Sequence, residues 1–148
     1  MNFRHIISIL VLVLSFNSFG QSTKLNRADL SNDWKLMHEE SGVQFLVKTQ
    51  SCSYTGNKLP FVYTLLKIEN TTSELKHVTY NYVHYFDEGC DGCDANGERT
   101  FSFEIAPNSS IEGECNSAFT GLSGYVDNPN FEGGWHFESV QLLYLTIE

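Results

Sequence analysis

From residue 43 onward the apolar side chains recur at every second position in short runs, and that spacing suits a half-buried β-strand rather than an amphipathic helix. Val43, Phe45 and Val47 alternate with Gln44 and Lys48, and Phe101, Phe103 and Ile105 alternate with Ser102 and Glu104. Val78, Tyr80, Tyr82 and Phe86 share one face of a further run. Residues 61–69 are apolar at both parities, through Val62, Tyr63, Leu65, Leu66 and Ile68, as a central strand covered on both faces requires. Segments 111–115, 121–126 and 137–147 bring the expected count to about seven strands, typical of an antiparallel β-sandwich. Turn formers separate the runs at Asn70-Thr71-Thr72-Ser73, Pro107-Asn108-Ser109 and Asn128-Pro129-Asn130, where they end one strand and start the next. Residues 23–40 read as helical or extended, with one short turn near 26–30 and Trp34 expected to anchor the segment to the core.

The first residues read as an export signal. Arg4 precedes an uninterrupted stretch from 6 to 14 built of Ile, Ser, Leu and Val. That stretch is too short to span a bilayer, which takes roughly 20 apolar residues. Ser18 and Gly20 put small side chains where a signal peptidase cuts, so cleavage is expected between Gly20 and Gln21, leaving residues 21–148 as one domain. No Cys follows that point to carry a lipid anchor. The expected address is periplasmic or extracellular, without membrane insertion once the signal is removed. The formal charge of −9 becomes −10 on cleavage, because the removed segment holds Arg4 and no acid. Such a balance disfavours nucleic acid as a partner, since Lys and Arg drive phosphate binding.

Cys52, Cys90, Cys93 and Cys115 all lie in the mature segment, and an even count in a small exported domain reads as two disulfides. If successive strands run antiparallel, Cys52, the loop bearing Cys90 and Cys93, and Cys115 all arrive at the same end. Three pairings remain open. Chain entropy gives about 6 kcal/mol for Cys52–Cys115 with Cys90–Cys93 and about 7 for Cys52–Cys90 with Cys93–Cys115, which does not separate them. Asp87, Glu88, Asp91 and Asp94 surround the Cys90/Cys93 pair. Their charges oppose the thiolate that redox catalysis needs. A four-thiolate zinc site normally draws on two closely spaced pairs, and this chain has one.

The run Leu65-Leu66-Lys67-Ile68-Glu69-Asn70-Thr71-Thr72, with the later Phe103-Glu104-Ile105-Ala106-Pro107-Asn108-Ser109-Ser110-Ile111, resembles exported bacterial immunoglobulin-like accessory and adhesion domains. In those domains an apolar strand ends in Asn plus a hydroxyl residue, and a later strand ends in a Pro-containing turn. Asn108 stands where Gly is usual after that Pro. The resemblance covers about the middle third of the chain and implies an all-β, immunoglobulin-like antiparallel β-sandwich with a binding or scaffolding role. It carries over no catalytic residue.

Two loops hold the candidate site residues. Residues 87–98 contain five acids and Asn96, and carboxylate oxygens are the ligands calcium takes. Asp87, Asp91, Asp94 and Glu98 are the candidates, against the alternative of a solvated hairpin loop rich in turn formers. Residues 124–136 gather Tyr125, Phe131 and Trp135 beside Asp127, Asn128 and Asn130, materials for stacking a sugar ring or holding a peptide. The competing reading makes these rings anchors of a long loop. Hydrolytic chemistry finds little footing. Gly121-Leu122-Ser123-Gly124 lacks the nucleophile-elbow spacing, while His77 and His84 point to opposite faces of one strand and His84 reads as a hydrogen-bonded core histidine. The expected function is therefore a non-enzymatic binding or structural module with a protein or glycan partner. The alternatives are a calcium-assisted glycan-binding protein and an inhibitor of an exported protease acting through a disulfide-locked loop.

Overall fold

Two antiparallel sheets, each extended along one side by two short strands lying end to end, make up the chain in a computed structural model that describes residues 23–94, 99–115, 120–128 and 133–148. The predicted signal, residues 1–20, lies outside the described residues. One sheet runs in the order β1 (Lys24–Asn26), β10 (Phe137–Ile147), β5 (Lys76–Phe86), and then β7 (Thr100–Ile105) and β6 (Gly89–Asp91) share the free side of β5. The other runs β2 (Lys35–Glu40), β3 (Val43–Cys52), β4 (Phe61–Asn70), and then β8 (Ser109–Glu112) and β9 (Ser123–Asp127) share the free side of β4. Among the described residues the single helical turn is the 3-10 segment Arg27–Asp29, where one short turn is expected.

Ten strands therefore form among the described residues, against the expected count of about seven. The additional ones are β1, β2 and β6. β1 and β6 are too short for a period to show. In β2 the pairing with β3 slips between Leu36 and His38, so the adjacent Met37 and His38 are both buried. A bulge of this kind erases the alternation that marks a strand in sequence. Met37, with Leu25 and Leu30 packed against the core, rather than Trp34, is what residues 23–40 contribute to it. Trp34 is half-buried with the Lys48 ammonium 4.6 Å from its ring centre.

The two sheets bury their facing sides together. Val43, Phe45 and Val47 of β3 and Leu66 and Ile68 of β4 meet Val78, Tyr80 and Tyr82 of β5, with Val140 and Leu142 of β10 beside them. Phe45 and Tyr80 touch edge to face, ring centres 6.1 Å apart, the geometry favoured by aromatic quadrupoles. The double parity of β4 has a split origin: its even residues face the other sheet, whereas Phe61 and Tyr63 meet Tyr54 and Tyr125 in a separate aromatic group.

Turn chemistry fixes the connections. Ser41 and Gly42 both have positive φ, 52° and 76°, as a two-residue hairpin turn requires. A Cβ on Gly42 would run into the Thr72 methyl. Asn108 has φ 50°, a left-handed conformation that Asn tolerates better than other residues with side chains, which accounts for Asn in a place where Gly is usual.

The two sequence segments that carry the immunoglobulin-like resemblance are bonded to each other through Asn70. Its amide Nδ2 donates to the carbonyls of Glu74, Ile105 and Ala106 at 2.7, 3.1 and 3.2 Å, and its Oδ1 accepts from the Thr72 backbone N–H and hydroxyl at 2.9 and 2.7 Å. Asn108 N–H completes the joint by donating to the Thr72 carbonyl at 2.9 Å. The side chain is fully buried, so its removal strands several polar groups at once. Asn70→Ala is expected to lower the free energy of unfolding by about 3 kcal/mol, read as a shift in urea midpoint. A loss under about 1 kcal/mol would show that water replaces the amide without penalty.

Candidate functional site

The acidic loop and the aromatic loop come together at one end of the molecule, where β6 meets the segment entering β10. Residues 87 and 136 hold them side by side. Asp87 N–H donates to the His136 carbonyl at 3.0 Å, and the Asp87 carboxylate accepts from His136 N–H at 2.9 Å. Phe86 lies 6.0 Å from both Trp135 and Phe137, ring centre to ring centre. Between the loops opens a cleft of about 630 Å³, within the range of ordinary small-ligand sites. Phe86, Tyr125 and Trp135 supply its apolar walls, while Asp91, Arg99, Asp127 and Asn128 supply the polar ones.

Each wall has a local cause. β6 is short because Cys90 and Cys93 close a disulfide across a turn, their Cα atoms 6.0 Å apart, inside the usual bridging range. Gly92 sits in that turn with φ 89°, and a Cβ added there would come within 3.2 Å of the Tyr82 carbonyl oxygen and against Val83. Below it Asn81, fully buried, donates to the Gly92 and Asp94 carbonyls at 3.2 Å each and accepts from the Thr100 hydroxyl at 2.8 Å. On the opposite wall Tyr125 is carried by β9 and packs at 5.8 Å on Tyr63. Burial and Tyr54 push the Tyr63 hydroxyl up to about 12, and burial together with Asp127 raises that of Tyr125. Both phenols are therefore protonated donors at neutral pH.

The other disulfide joins Cys52 to Cys115, Cα atoms 5.4 Å apart. All four cysteines are thus paired as disulfides, and the pairing left open by the sequence resolves to Cys52 with Cys115 and Cys90 with Cys93. Gln50 Nε2 lies 3.3 Å from Cys115 Sγ and the Tyr54 hydroxyl donates to the Cys115 carbonyl.

Of the calcium candidates, Asp91 is ion-paired with Arg99 at 3.0 Å and Asp87 is committed to His136 N–H. Asp94 is exposed and contributes its backbone carbonyl to Asn81. Glu98 lies outside the described residues. Among the described residues no three His, Cys, Asp or Glu side chains gather as a metal-binding group. Of the aromatic candidates, Tyr125 and Trp135 both line the cleft and Phe131 lies outside the described residues. Tyr125 is 43% exposed and Trp135 58%.

His84 is a core histidine, as its parity suggests. Its Nε2 is 2.7 Å from the Thr64 hydroxyl, and Tyr82 meets its ring edge-on at 4.5 Å. Burial drives its pKa down to about 3, a hydrogen bond to the Tyr82 backbone recovers part of that drop, and Arg99 lowers it further. Gly124 lies against the flat imidazole, where a Cβ would collide with the ring. His77, on the opposite face, is exposed and lies 3.5 Å from Glu104. Sequence reasoning missed Arg99 and Phe86 as cleft residues. An arginine one position past an acid-rich loop was the available sign, because such a cation finds a carboxylate nearby.

No protein-family model matches the chain, and no curated protein and no solved structure matches it either.

Proposed function

We propose that this protein is an exported, non-enzymatic binding module of immunoglobulin-like plan, and that it holds a glycan in the cleft between the acidic and aromatic loops. The observation that carries this reading is the exposure of Trp135 and Tyr125 on the walls of one cleft that also presents Asp91, Asp127, Asn128 and Arg99. A sugar offers an apolar face for an aromatic ring and hydroxyls for carboxylate, amide and guanidinium groups. Among the described residues the charged groups of the walls are the carboxylates of Asp91 and Asp127 and the guanidinium of Arg99, a set that favours neutral ligands over strongly anionic ones. The resemblance to accessory and adhesion domains agrees with a binding role.

The chain's two tryptophans make the test direct. Trp135 lines the cleft, whereas Trp34 is half-buried beside Lys48. Titration with a panel of neutral and N-acetylated oligosaccharides is expected to change the emission of Trp135 and leave that of Trp34 constant, each tryptophan read alone in a variant carrying Phe at the other. Trp135→Ala is expected to weaken binding about tenfold or more, the scale of an interface anchor. If every member of the panel leaves the emission of Trp135 unchanged, the glycan reading falls.

A further inference from the structure

The charges on the cleft walls do not balance. Asp91 and Arg99 are paired at 3.0 Å, so those two cancel. Asp127 lines the same cleft, is exposed, and forms no ion pair among the described residues. Burial first, and then the charge of Asp127, raise the Tyr125 pKa, so this carboxylate acts on the neighbouring aromatic ring. With histidine counted as neutral, the Asp and Arg side chains of the described walls therefore leave one net negative charge beside Tyr125. Phe86 and Trp135, ring centres 6.0 Å apart, complete the apolar lining. An aromatic ring is negative on its face, so it attracts cations as well as apolar surface. A cation entering this cleft gains from the rings and from the uncompensated carboxylate together. The formal charge of −9 on the chain adds a longer-range attraction of the same sign. An anionic ligand meets the reverse of each effect, and a neutral one gains from none of them.

We propose that the ligand is an amino sugar, and that the cleft holds its protonated amine at Asp127 and Tyr125. The inference rests on the cleft being the glycan site and adds the charge that the glycan carries. A lysine side chain offers the same ammonium, but the open rings of Trp135 and Tyr125 and a cleft of about 630 Å³ suit a sugar ring better than one slender chain.

The experiment reads the emission of Trp135 in the Trp34→Phe protein at neutral pH and low salt, titrated with a glucosamine trisaccharide and with its fully N-acetylated counterpart. Both are expected to change the emission, and the amine form to bind about fivefold more tightly, the combined worth of one exposed ion pair and one cation–ring contact. That preference is expected to shrink in about 0.5 M salt, where exposed charges are screened within a few ångströms. Asp127→Asn is expected to bring the two dissociation constants within about twofold of each other, without lowering the melting temperature, because the side chain is exposed on β9 and Asn matches its shape. Equal or tighter binding of the N-acetylated form overturns the inference, and so does a preference that survives both salt and Asp127→Asn. Should Asp127→Asn fail to fold, the salt series on the parent decides alone. Binding of Nα-acetyl-lysine amide as tight as that of the amine trisaccharide would assign the ammonium to a peptide and overturn the amino sugar. If neither trisaccharide changes the emission, the glycan reading falls and this inference with it, whereas binding of both without an amine preference leaves the glycan reading standing and removes this inference alone.

Discussion

Replacing both Cys52 and Cys115 by Ser is expected to lower the free energy of unfolding by about 4 kcal/mol, whereas the same change at Cys90 and Cys93 is expected to cost under about 2 kcal/mol. The difference follows from loop length. The first bridge spans 63 residues and the second spans 3, and the entropy a cross-link removes from the unfolded chain grows with the logarithm of the loop it closes. Cys52 is also 1% exposed at the end of β3, so its loss opens a packed site as well as a loop. Urea denaturation of the parent and the two double variants measures both quantities. Equal losses would mean that unfolded-state entropy is not what the bridges contribute. Function is expected to divide the opposite way: Cys90 lines the cleft, so the weaker staple is the one whose removal disturbs ligand binding.

Acidification is expected to remove stability on a comparable scale through His84 alone. The imidazole has a pKa of about 3 in the folded protein against an ordinary 6.5. Between those values the unfolded chain takes up a proton that the folded chain refuses, so stability is complete above about pH 6.5 and is lost progressively as pH falls toward 3. At about 1.4 kcal/mol for each unit of difference, the loss reaches on the order of 4 kcal/mol. The cause is burial first, because the imidazole sits between the sheets among Tyr82, Phe137 and Gly124, with Arg99 adding to the penalty on its protonated form. His84→Gln retains an amide for the Thr64 hydroxyl and does not titrate. It is expected to be less stable than the parent at neutral pH and to show a shallower decline between pH 6.5 and 4. Parallel declines for the two proteins would show that other groups carry the acid sensitivity.

What was legible in the sequence is what depends on neighbours along the chain. The alternation at Val43-Phe45-Val47 and Phe101-Phe103-Ile105 places β3 and β7, since a strand's two faces are set by residue parity wherever one face is buried. Asn70 and Pro107 mark strand ends because the turn chemistry is local, and the presence of two bridges follows from the count of cysteines. The acidic and aromatic loops each announce themselves by composition. β2 was hidden by the bulge at Met37, and the buried Asn81 was hidden because its partners, the Gly92 and Asp94 carbonyls, lie across a turn rather than along the strand.

Only the tertiary structure decided which cysteine bonds to which, and only it set the two loops on opposite walls of one cleft. Both outcomes depend on which sheet edges lie alongside each other. β6 and β7 share one side of β5 and β8 and β9 share one side of β4, so residues 90, 99, 125 and 135 converge from four separate segments. No periodicity or spacing in the chain encodes that meeting, because the energy that fixes it belongs to the buried surface between the sheets and is shared by residues far apart in sequence.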